Sequence, residues 1–179
     1  MIAWKFTRDG AVGPFSGVAW PEPGTWLRAG GDAVVACRSA VHACRPEDLP
    51  LWLDAELWLV ELRGPVLRSH GKLAAAAGRL VERIDAWNAE TAAEYADACV
   101  ERATVAAAVQ PRDAAIAAGL VQDGIDCARR ARREPAVAPT MAAGAALCAA
   151  RVAGLMDPDG IAEERAWQAR WLAGRLGLG

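Results

Sequence analysis

The chain has 179 residues, 54% of them hydrophobic, and its 20 basic and 22 acidic side chains leave a net charge of −2. That length is typical of one domain. The nearly balanced charge means that the chain lacks the excess of basic residues typical of a nucleic-acid-binding domain. No uninterrupted apolar run reaches the ~18 residues of a membrane span, and the N-terminus has no signal-peptide pattern. We therefore predict a soluble cytoplasmic protein that binds neither nucleic acid nor membrane, with its five cysteines reduced.

The first 85 residues are predicted to be rich in β-strands. MIAWKFT (1–7) is a short apolar run that ends at the turn residues Arg8-Asp9-Gly10. Glycines and prolines make residues 10–24 an irregular loop. Further strands are predicted at TWLRAGG (25–31), DAVVACR (32–38) and AVHAC (40–44), followed by a short helix, PEDLPLWL (46–53), with a proline in its first position.

The strongest strand pattern is AELWLVELRG (55–64), in which apolar residues recur on both faces. Glu61 falls on the same face as Leu57 and Leu59. A carboxylate among leucines is costly unless it has a partner or reaches water, so Glu61 becomes a candidate functional residue. A further strand is predicted near 72–77.

From Asn88 onward the pattern is helical. Asn88 is expected to cap a helix that runs to about Val109, Pro111 to start a second that ends near the arginines of RRARR (129–133), and Thr140 to cap a third. Asp-Pro-Asp-Gly (157–160) is a turn before the fourth.

These elements predict an α+β fold, with a small, mostly antiparallel N-terminal sheet packed by a C-terminal layer of about four alanine-rich helices. Alanine-rich helices bury little area by themselves and need a partner surface. We therefore predict a single domain, 1–179, made of a β-rich part (1–85) and a helical part (86–179).

The stretch ACRSAVHACRPEDLPLW (36–52) concentrates side chains that can do chemistry. Cys37, His42 and Cys44 are ligand-competent, but a structural zinc site takes four ligands, usually with closer cysteine spacing, so no metal is predicted. His42 and Cys44 would lie roughly 6–7 Å apart on one strand face, too far for a direct hydrogen bond. The favoured interpretation is that both cysteines pack in the core and His42 is a hydrogen-bonded strand residue.

Five of the eight tryptophans lie in the first 58 residues. For Trp4 and Trp58 a place in the core is favoured, whereas Trp20 and Trp26 fit equally well in the core or in a wall on which a ligand stacks. The RRARR cluster is interpreted as a solvated helix end that complements the helix dipole.

The succession WKF, GPFSGVAWPEPGTWL, CRSAVHACRPEDLPLWL and LWLVEL resembles an uncharacterised domain of actinobacterial and phage proteins over residues 2–85. Its hallmark is a Cys-x-x-Gly-x-His-x-Cys segment followed by a short helix and a Val-Glu strand. The family's recurring positions would be Lys5, Cys37, His42, Cys44, Asp48 and Glu61. Ala40 stands where the family has glycine. The resemblance implies a fold unit rather than an activity.

The order of elements is also similar in layout to ADP-ribosyltransferases. There, rings from the first strand and from a mid-sheet strand clamp nicotinamide, and a late glutamate stabilises the ribosyl cation. The likeness implies Lys5 or Trp4 in the first role and His42 in the second. Glu61 comes one strand early for the third, and no Glu-x-Glu pair exists in the chain.

We therefore predict a small-molecule-binding protein with its site in the β-rich half, acting on a nucleotide-like or aromatic ligand. The catalytic candidates are His42 and Glu61, and the ligand-binding candidates are Lys5, Trp20, Arg45 and Trp52. The sequence specifies no cofactor and leaves open whether the protein is an enzyme. The alternative is a non-catalytic dimerisation or protein-interaction module.

Overall fold

The structure, a computed structural model, describes residues 1–30, 34–109 and 113–178. The chain divides into two compact units, Met1–Asp85 and Ala86–Gly179. The first contains a five-stranded sheet and the second contains helices. This confirms the predicted α+β class.

The first unit has five strands and one 3₁₀ helix. They are β1 (Ile2–Thr7), β2 (Leu27–Arg28), β3 (Val41–Ala43), the 3₁₀ helix Pro46–Leu51, β4 (Glu56–Ser69) and β5 (Lys72–Arg83). The short helix begins at a proline, as predicted. β4 and β5 are longer than the sequence pattern indicated, because they form one long hairpin around the two-residue turn His70-Gly71.

Every strand pair is antiparallel. The sheet has the order β1-β4-β5-β2, and β3 pairs with β5 beside β2. Just after β3, Cys44 exchanges two backbone hydrogen bonds with Trp4 of β1, at 2.9 and 2.7 Å. The segments β1, β4, β5 and β3 therefore form a closed ring of hydrogen-bonded neighbours, a small barrel-like arrangement.

The long hairpin contains two irregularities. Between Arg63 and Val66 the register shifts at Gly64 and Pro65, and Gly64 has a positive φ of 87°. Proline has no N–H to donate to the ladder, so it is tolerated at a bulge of this kind. On β5, Val81 is the extra residue between the partners of Leu59 and Val60. Such bulges bend the paired strands, which suits a hairpin that takes part in a closed ring.

A core lies on one side of these strands. Its buried members come from every strand of the ring and from the 10–24 loop: Ala3, Trp20, Val41, Ala43, Val60, Leu62, Leu73, Ala75 and Leu80. Gly78 lies beneath this cluster, where an added Cβ would come within 2.8 Å of Val41 and 3.2 Å of Trp20. Trp20 is therefore a core residue, and Trp58 packs against the same cluster.

The prediction of a strand at DAVVACR (32–38) is wrong for the residues that the structure describes there, 34–38. Val35 and Ser39 form an isolated bridge around a tight turn, in which Cys37 has a positive φ of 65°. Only Leu27–Arg28 of TWLRAGG is strand, and residues 31–33 lie outside the described part. The left-handed position of this turn is Cys37 rather than Ala40.

The second unit has four long helices, α1 (Ala89–Ala107), α2 (Ala114–Arg133), α3 (Ala138–Met156) and α4 (Gly160–Leu176), with a short 3₁₀ turn, Pro135–Val137, before α3. The Asn88 side chain accepts hydrogen bonds from the N–H groups of Glu90 and Thr91, which confirms the predicted cap. The prediction that Thr140 caps α3 is wrong, because the 3₁₀ turn carries the chain into α3 at Ala138 and the capping position is Val137, three residues before Thr140. Pro111 lies outside the described residues.

Within this unit α3 packs against α1, α2 and α4. Its buried side consists mostly of alanine, and at Gly144 an added Cβ would lie 2.9 Å from the sulfur of Cys127. Small residues therefore allow the helices to approach closely. Tyr95 is fully buried against the rings of Trp87 and Trp171.

Residues Pro135–Met156 form a helical stretch that is long and apolar enough to cross a membrane by length and composition alone. The core helix of a soluble protein passes the same test, and α3 contacts three other helices of its own unit. A single stretch of this kind is weak evidence for a membrane span. The cytoplasmic location stays a prediction.

Candidate functional site

His42 lies in the middle of β3, opposite Ala74 of β5. Its neighbours Val41 and Ala43 enter the core, so strand alternation places the imidazole on the other side of β3. The backbone N–H of Cys37 donates a 3.1 Å hydrogen bond to Nε2 of His42. A neutral imidazole that accepts at Nε2 carries its proton on Nδ1. His42 therefore presents a donor, the Nδ1–H group.

The pKa of His42 lies below its usual value of 6.5, first because the ring is partly buried and then because of the positive charges of Lys5 and Lys72. Both effects disfavour the imidazolium. His42 is consequently neutral at pH 7, and two cations lie within electrostatic reach of it.

Lys5 is in β1, on the same side of the strand as the fully buried Ala3 and Thr7. Its ammonium lies 5.5 Å from the ring centroid of Trp20, a cation–π distance. Burial lowers the pKa of Lys5 to about 8, against a smaller opposing effect of Cys44. Among the described residues no carboxylate lies within 4 Å of this ammonium.

Lys72 is at the start of β5, and its ammonium lies 2.7 Å from the thiol sulfur of the exposed Cys37. No carboxylate of the described part pairs with Lys72 either. The turn that carries Cys37 is therefore held twice, by the backbone bond to His42 and by the side chain of Lys72.

The chain has only two lysines among its 20 basic residues, and both charges act on His42. Many arginines of the chain have a carboxylate within reach, as Arg45, Arg79 and Arg102 do. Lysine differs from arginine in that burial readily shifts its pKa. We define His42 and Lys72, which both contact Cys37, as the cationic site. Lys5 acts on it electrostatically from the core side of the strands, where its ammonium lies near Trp20.

Three of the predicted site residues are engaged elsewhere. Glu61 forms an ion pair with Arg79 on the neighbouring strand, at 2.6 Å. Arg45 pairs with Glu47 at 3.0 Å and with Asp48 at 3.1 Å. The charges of Glu61 and Arg45 are thus compensated within the unit.

Trp52, also predicted to bind ligand, donates its indole N–H to the carbonyl of Gly71 at 2.6 Å, and Phe15 lies edge-on to its ring at 5.9 Å. It therefore anchors the end of the 3₁₀ helix to the β4–β5 turn.

His42 and Glu61 are not brought together. Their partners on β5 are Ala74 and Arg79. Five residues of strand separate these partners, roughly 16 Å along β5. Among the predicted residues, Lys5 and Trp20 lie together on the core side of the strands. His42 lies on the other side of β3, where it and Lys72 both contact Cys37.

Glu56, like Asp48, is a buried carboxylate of this unit, and the sequence pattern did not single it out. It accepts hydrogen bonds from Thr7, the backbone N–H groups of Gly10 and Ala11, Trp58 and Arg83, at 3.0–3.4 Å. Burial alone would raise the pKa of Glu56, but these hydrogen bonds together lower it. Glu56 therefore fixes the start of the 10–24 loop to β1 and β4.

The cysteines divide by exposure. Cys44 and Cys99 are buried, and burial raises the pKa of each thiol to about 12. Burial also raises the pKa of Cys127 and that of Cys148. The prediction that Cys44 packs in the core is confirmed, whereas for Cys37 it is wrong, because the tight turn leaves its thiol exposed.

No group of three or more His, Cys, Asp or Glu side chains in the described part of the chain is placed to hold a metal ion. His42 is turned toward the backbone of Cys37, and Cys44 is buried. Cys37, His42 and Cys44 therefore do not converge as a ligand set.

In the helical unit, the arginine cluster ends α2, as predicted. Arg129 pairs with Asp126 and Arg130 with Glu134, and these residues together with Arg133 line a shallow, open depression of about 380 Å³. Its charges of both signs are largely exposed and paired, so it offers little to a specific ligand.

No protein-family model, curated protein or solved structure matches this chain. The fold and site therefore define the first unit only as a class, a closed antiparallel sheet with a cationic site at one of its strands. The resemblance to the actinobacterial and phage domain stays a prediction.

Proposed function

We propose that the protein binds a small anionic molecule at the cationic site, held by Lys72 and His42. The observation that carries this proposal is that the only two lysines of the chain both act on His42, and neither has a carboxylate partner among the described residues. Charges left uncompensated on a folded domain are costly to bury, and an anion would compensate them.

The donor set suits a phosphate or carboxylate group. Lys72 supplies an ammonium donor, and His42 supplies Nδ1–H, because Nε2 is occupied by the backbone of Cys37. Hydrogen bonds from charged donors to an anion are roughly twice as strong as neutral ones. The charge of the buried Lys5 adds to the positive potential at His42.

Binding is favoured over acid–base catalysis by the same geometry. A general base must have a free lone pair within reach of the proton it takes, and the accepting nitrogen of His42 is already hydrogen-bonded. An enzymatic role for Glu61 has no support from its position, since its carboxylate is paired with Arg79.

The test is isothermal titration calorimetry of the full chain at pH 7 with inorganic phosphate, AMP, NAD and benzoate. We expect the phosphate-bearing ligands to bind, and Lys72→Met or His42→Gln to weaken binding by about tenfold or more. Arg45→Gln is the matched control, because its charge is already paired, and should change the affinity less than about twofold.

The pH dependence gives a second readout. An anion prefers the charged form of Lys5, whose pKa is about 8 in the free protein. The affinity should therefore fall as the pH rises above 8, and Lys5→Met should remove that dependence. Binding that is absent for all four ligands at millimolar concentration, or unchanged in Lys72→Met, would contradict the proposal.

The alternative, a protein-interaction or dimerisation module, draws support from exposed apolar side chains near the end of α1 and the start of α2, where Val105, Val109 and Ile116 are more than half exposed. Size-exclusion chromatography with light scattering distinguishes the two proposals. A stable dimer that Val105→Glu dissociates, together with no ligand, would favour the module.

A further inference from the structure

We propose that Cys37 and Lys72 form a redox-controlled covalent link, in which the lysine nitrogen joins the cysteine sulfur when the thiol is oxidised by a peroxide. The two side chains come from different parts of the chain, 35 residues apart, yet their reactive atoms lie 2.7 Å from each other. That separation is within hydrogen-bonding distance of a nitrogen and a sulfur. The two atoms are thus in place to react with one another.

The surroundings hold this pair together. The N–H of Cys37 is bonded to His42, and Val35 pairs with Ser39 across the turn. Lys72 lies on the hairpin strand β5. Neither reactive side chain therefore has to search for the other, which is the condition under which an intramolecular step outruns a bimolecular one.

Cys37 also differs from the other four cysteines. It is the exposed one, whereas Cys44 and Cys99 are buried, and Cys127 and Cys148 are half-buried. Peroxide reaches an exposed thiol more readily than a buried one. Oxidation should therefore begin at Cys37.

The reaction balances with one peroxide. The Cys37 thiolate attacks an oxygen of hydrogen peroxide, so that an S–O bond forms and the O–O bond breaks. The departing hydroxide takes a proton from the Lys72 ammonium and leaves as water. The neutral amine then attacks the sulfenic acid sulfur, an S–N bond forms, the S–O bond breaks, and a second water leaves with an amine proton. Overall, thiolate, ammonium and one peroxide give a sulfenamide and two waters.

If a second peroxide first hydroxylates the Lys72 amine, an N–O bond forms, the peroxide O–O bond breaks and one water leaves. The hydroxylamine oxygen then attacks the sulfenic acid sulfur, an S–O bond forms and the sulfenic S–O bond breaks. This link keeps one oxygen between nitrogen and sulfur, with three waters released in total. A thiol reductant such as dithiothreitol reverses either link, because its thiolate attacks the electrophilic sulfur and restores Cys37 while releasing the amine. The link would tie the 35–39 turn to the β4–β5 hairpin in an oxidising environment and release it in a reducing one.

The experiment is mass spectrometry of the full chain after treatment with a small excess of hydrogen peroxide. We expect a product lighter by roughly 2 Da, or heavier by roughly 14 Da for the oxygen-containing link. Peptide mapping should show the Cys37 and Lys72 peptides joined, and dithiothreitol should separate them. Lys72→Arg keeps the positive charge but removes the attacking amine, so it should leave Cys37 as a sulfenic or sulfinic acid. Cys148→Ser is the control and should form the link as the wild type does.

The proposal is overturned if wild-type Cys37 stays reduced, if it reaches a sulfinic acid without a linked peptide, or if Lys72→Arg still forms the link. Cys37→Ser should abolish the link and keep anion binding within about twofold, because the Cys37 side chain lies outside the proposed donor set. Failure of the link and failure of anion binding are therefore observed separately.

Discussion

Glu56→Gln should destabilise the first unit more than any other single change of charge in it. The substitution keeps the size of the side chain but replaces one acceptor oxygen by a donor group. Five donors converge on this carboxylate, including the backbone N–H groups of Gly10 and Ala11. Since glutamine accepts through one oxygen only, at least two of these donors lose their partner.

The magnitude follows from the number of donors left unsatisfied. Each buried donor without a partner costs about 1–3 kcal/mol, so the expected loss is about 3 kcal/mol in the free energy of unfolding. For a unit of this size such a loss lowers the melting temperature by roughly 10 to 20 °C. The Glu56 side chain is only 10% exposed, so solvent compensates little of it.

Calorimetry of the full chain measures the loss, and hydrogen exchange locates it at the amides of Gly10 and Ala11. Glu61→Gln is the matched control, because the Glu61–Arg79 pair is one-third exposed on both sides and should contribute less than about 1 kcal/mol. If the two variants unfold within about 1 kcal/mol of each other and both amides stay protected in Glu56→Gln, the reasoning about Glu56 is refuted.

The change in stability at acidic pH gives a further test of Glu56, because the direction of that change follows from its pKa. The folded protein holds the pKa of Glu56 below its usual 4.5, so the unfolded chain binds more protons as the pH falls. The stabilisation is fully present above pH 4.5 and is lost as the pH falls through the lower, folded pKa. Glu56→Gln should therefore show a shallower loss of stability in acid than the wild type.

Three other outcomes are expected. In a urea titration, Gly71→Ala should lower the free energy of unfolding by more than about 2 kcal/mol, because φ is +67° and the new methyl would lie 2.6 Å from Leu51. Gly10→Ala is the control: φ is +73° but the space around it is open, so it should lower the free energy of unfolding by about 1 kcal/mol. Asn88→Ala should cost about 1 kcal/mol in thermal unfolding and leave the α1 helix otherwise intact. Lys5→Met should raise stability at pH 7, because burial lowers the pKa of Lys5 in the folded protein to about 8. For the same reason the wild type should gain stability between pH 8 and 10.5, and Lys5→Met should lack that gain. Chemical denaturation across this pH range measures both effects.

Local patterns predicted much of the fold. β1 ends at the predicted turn, β3 lies within AVHAC, and Asn88 begins α1. In each case a single nearby feature decides the structure, such as a turn-forming glycine or a capping side chain. The fold class follows from the sum of these elements.

The errors come from pairing between distant segments. DAVVACR has the composition of a strand, but its described part forms a turn around Cys37 that is tied to His42 and Lys72. Glu61 looked like a costly carboxylate, yet Arg79 on the adjacent strand pairs with it, while Glu56 is the buried one. Which residue lies opposite a given strand residue depends on the register of the two strands. The sequence pattern of each strand does not specify that register across a long hairpin.

The site residues named from the sequence stay predictions. His42 was singled out on its strand between two cysteines, Lys5 through the family resemblance, and Trp20 as a residue that fits either the core or a ligand wall. Lys72 was missed, since nothing near it in the sequence marks it. The scarcity of lysine in an arginine-rich chain was the available signal.

The closed ring of strands determines when each strand can find its partner during synthesis. β1, β2 and β3 all lie within the first 43 residues, but the strands they pair with, β4 and β5, span residues 56–83. Apart from the Trp4–Cys44 pair, the first part of the chain therefore leaves the ribosome without partners for its strands, and the ring closes only after β5 has been synthesised. Such long-range pairing slows folding, so slowing translation before residue 56 should prolong the interval in which unpaired strands can meet those of another chain.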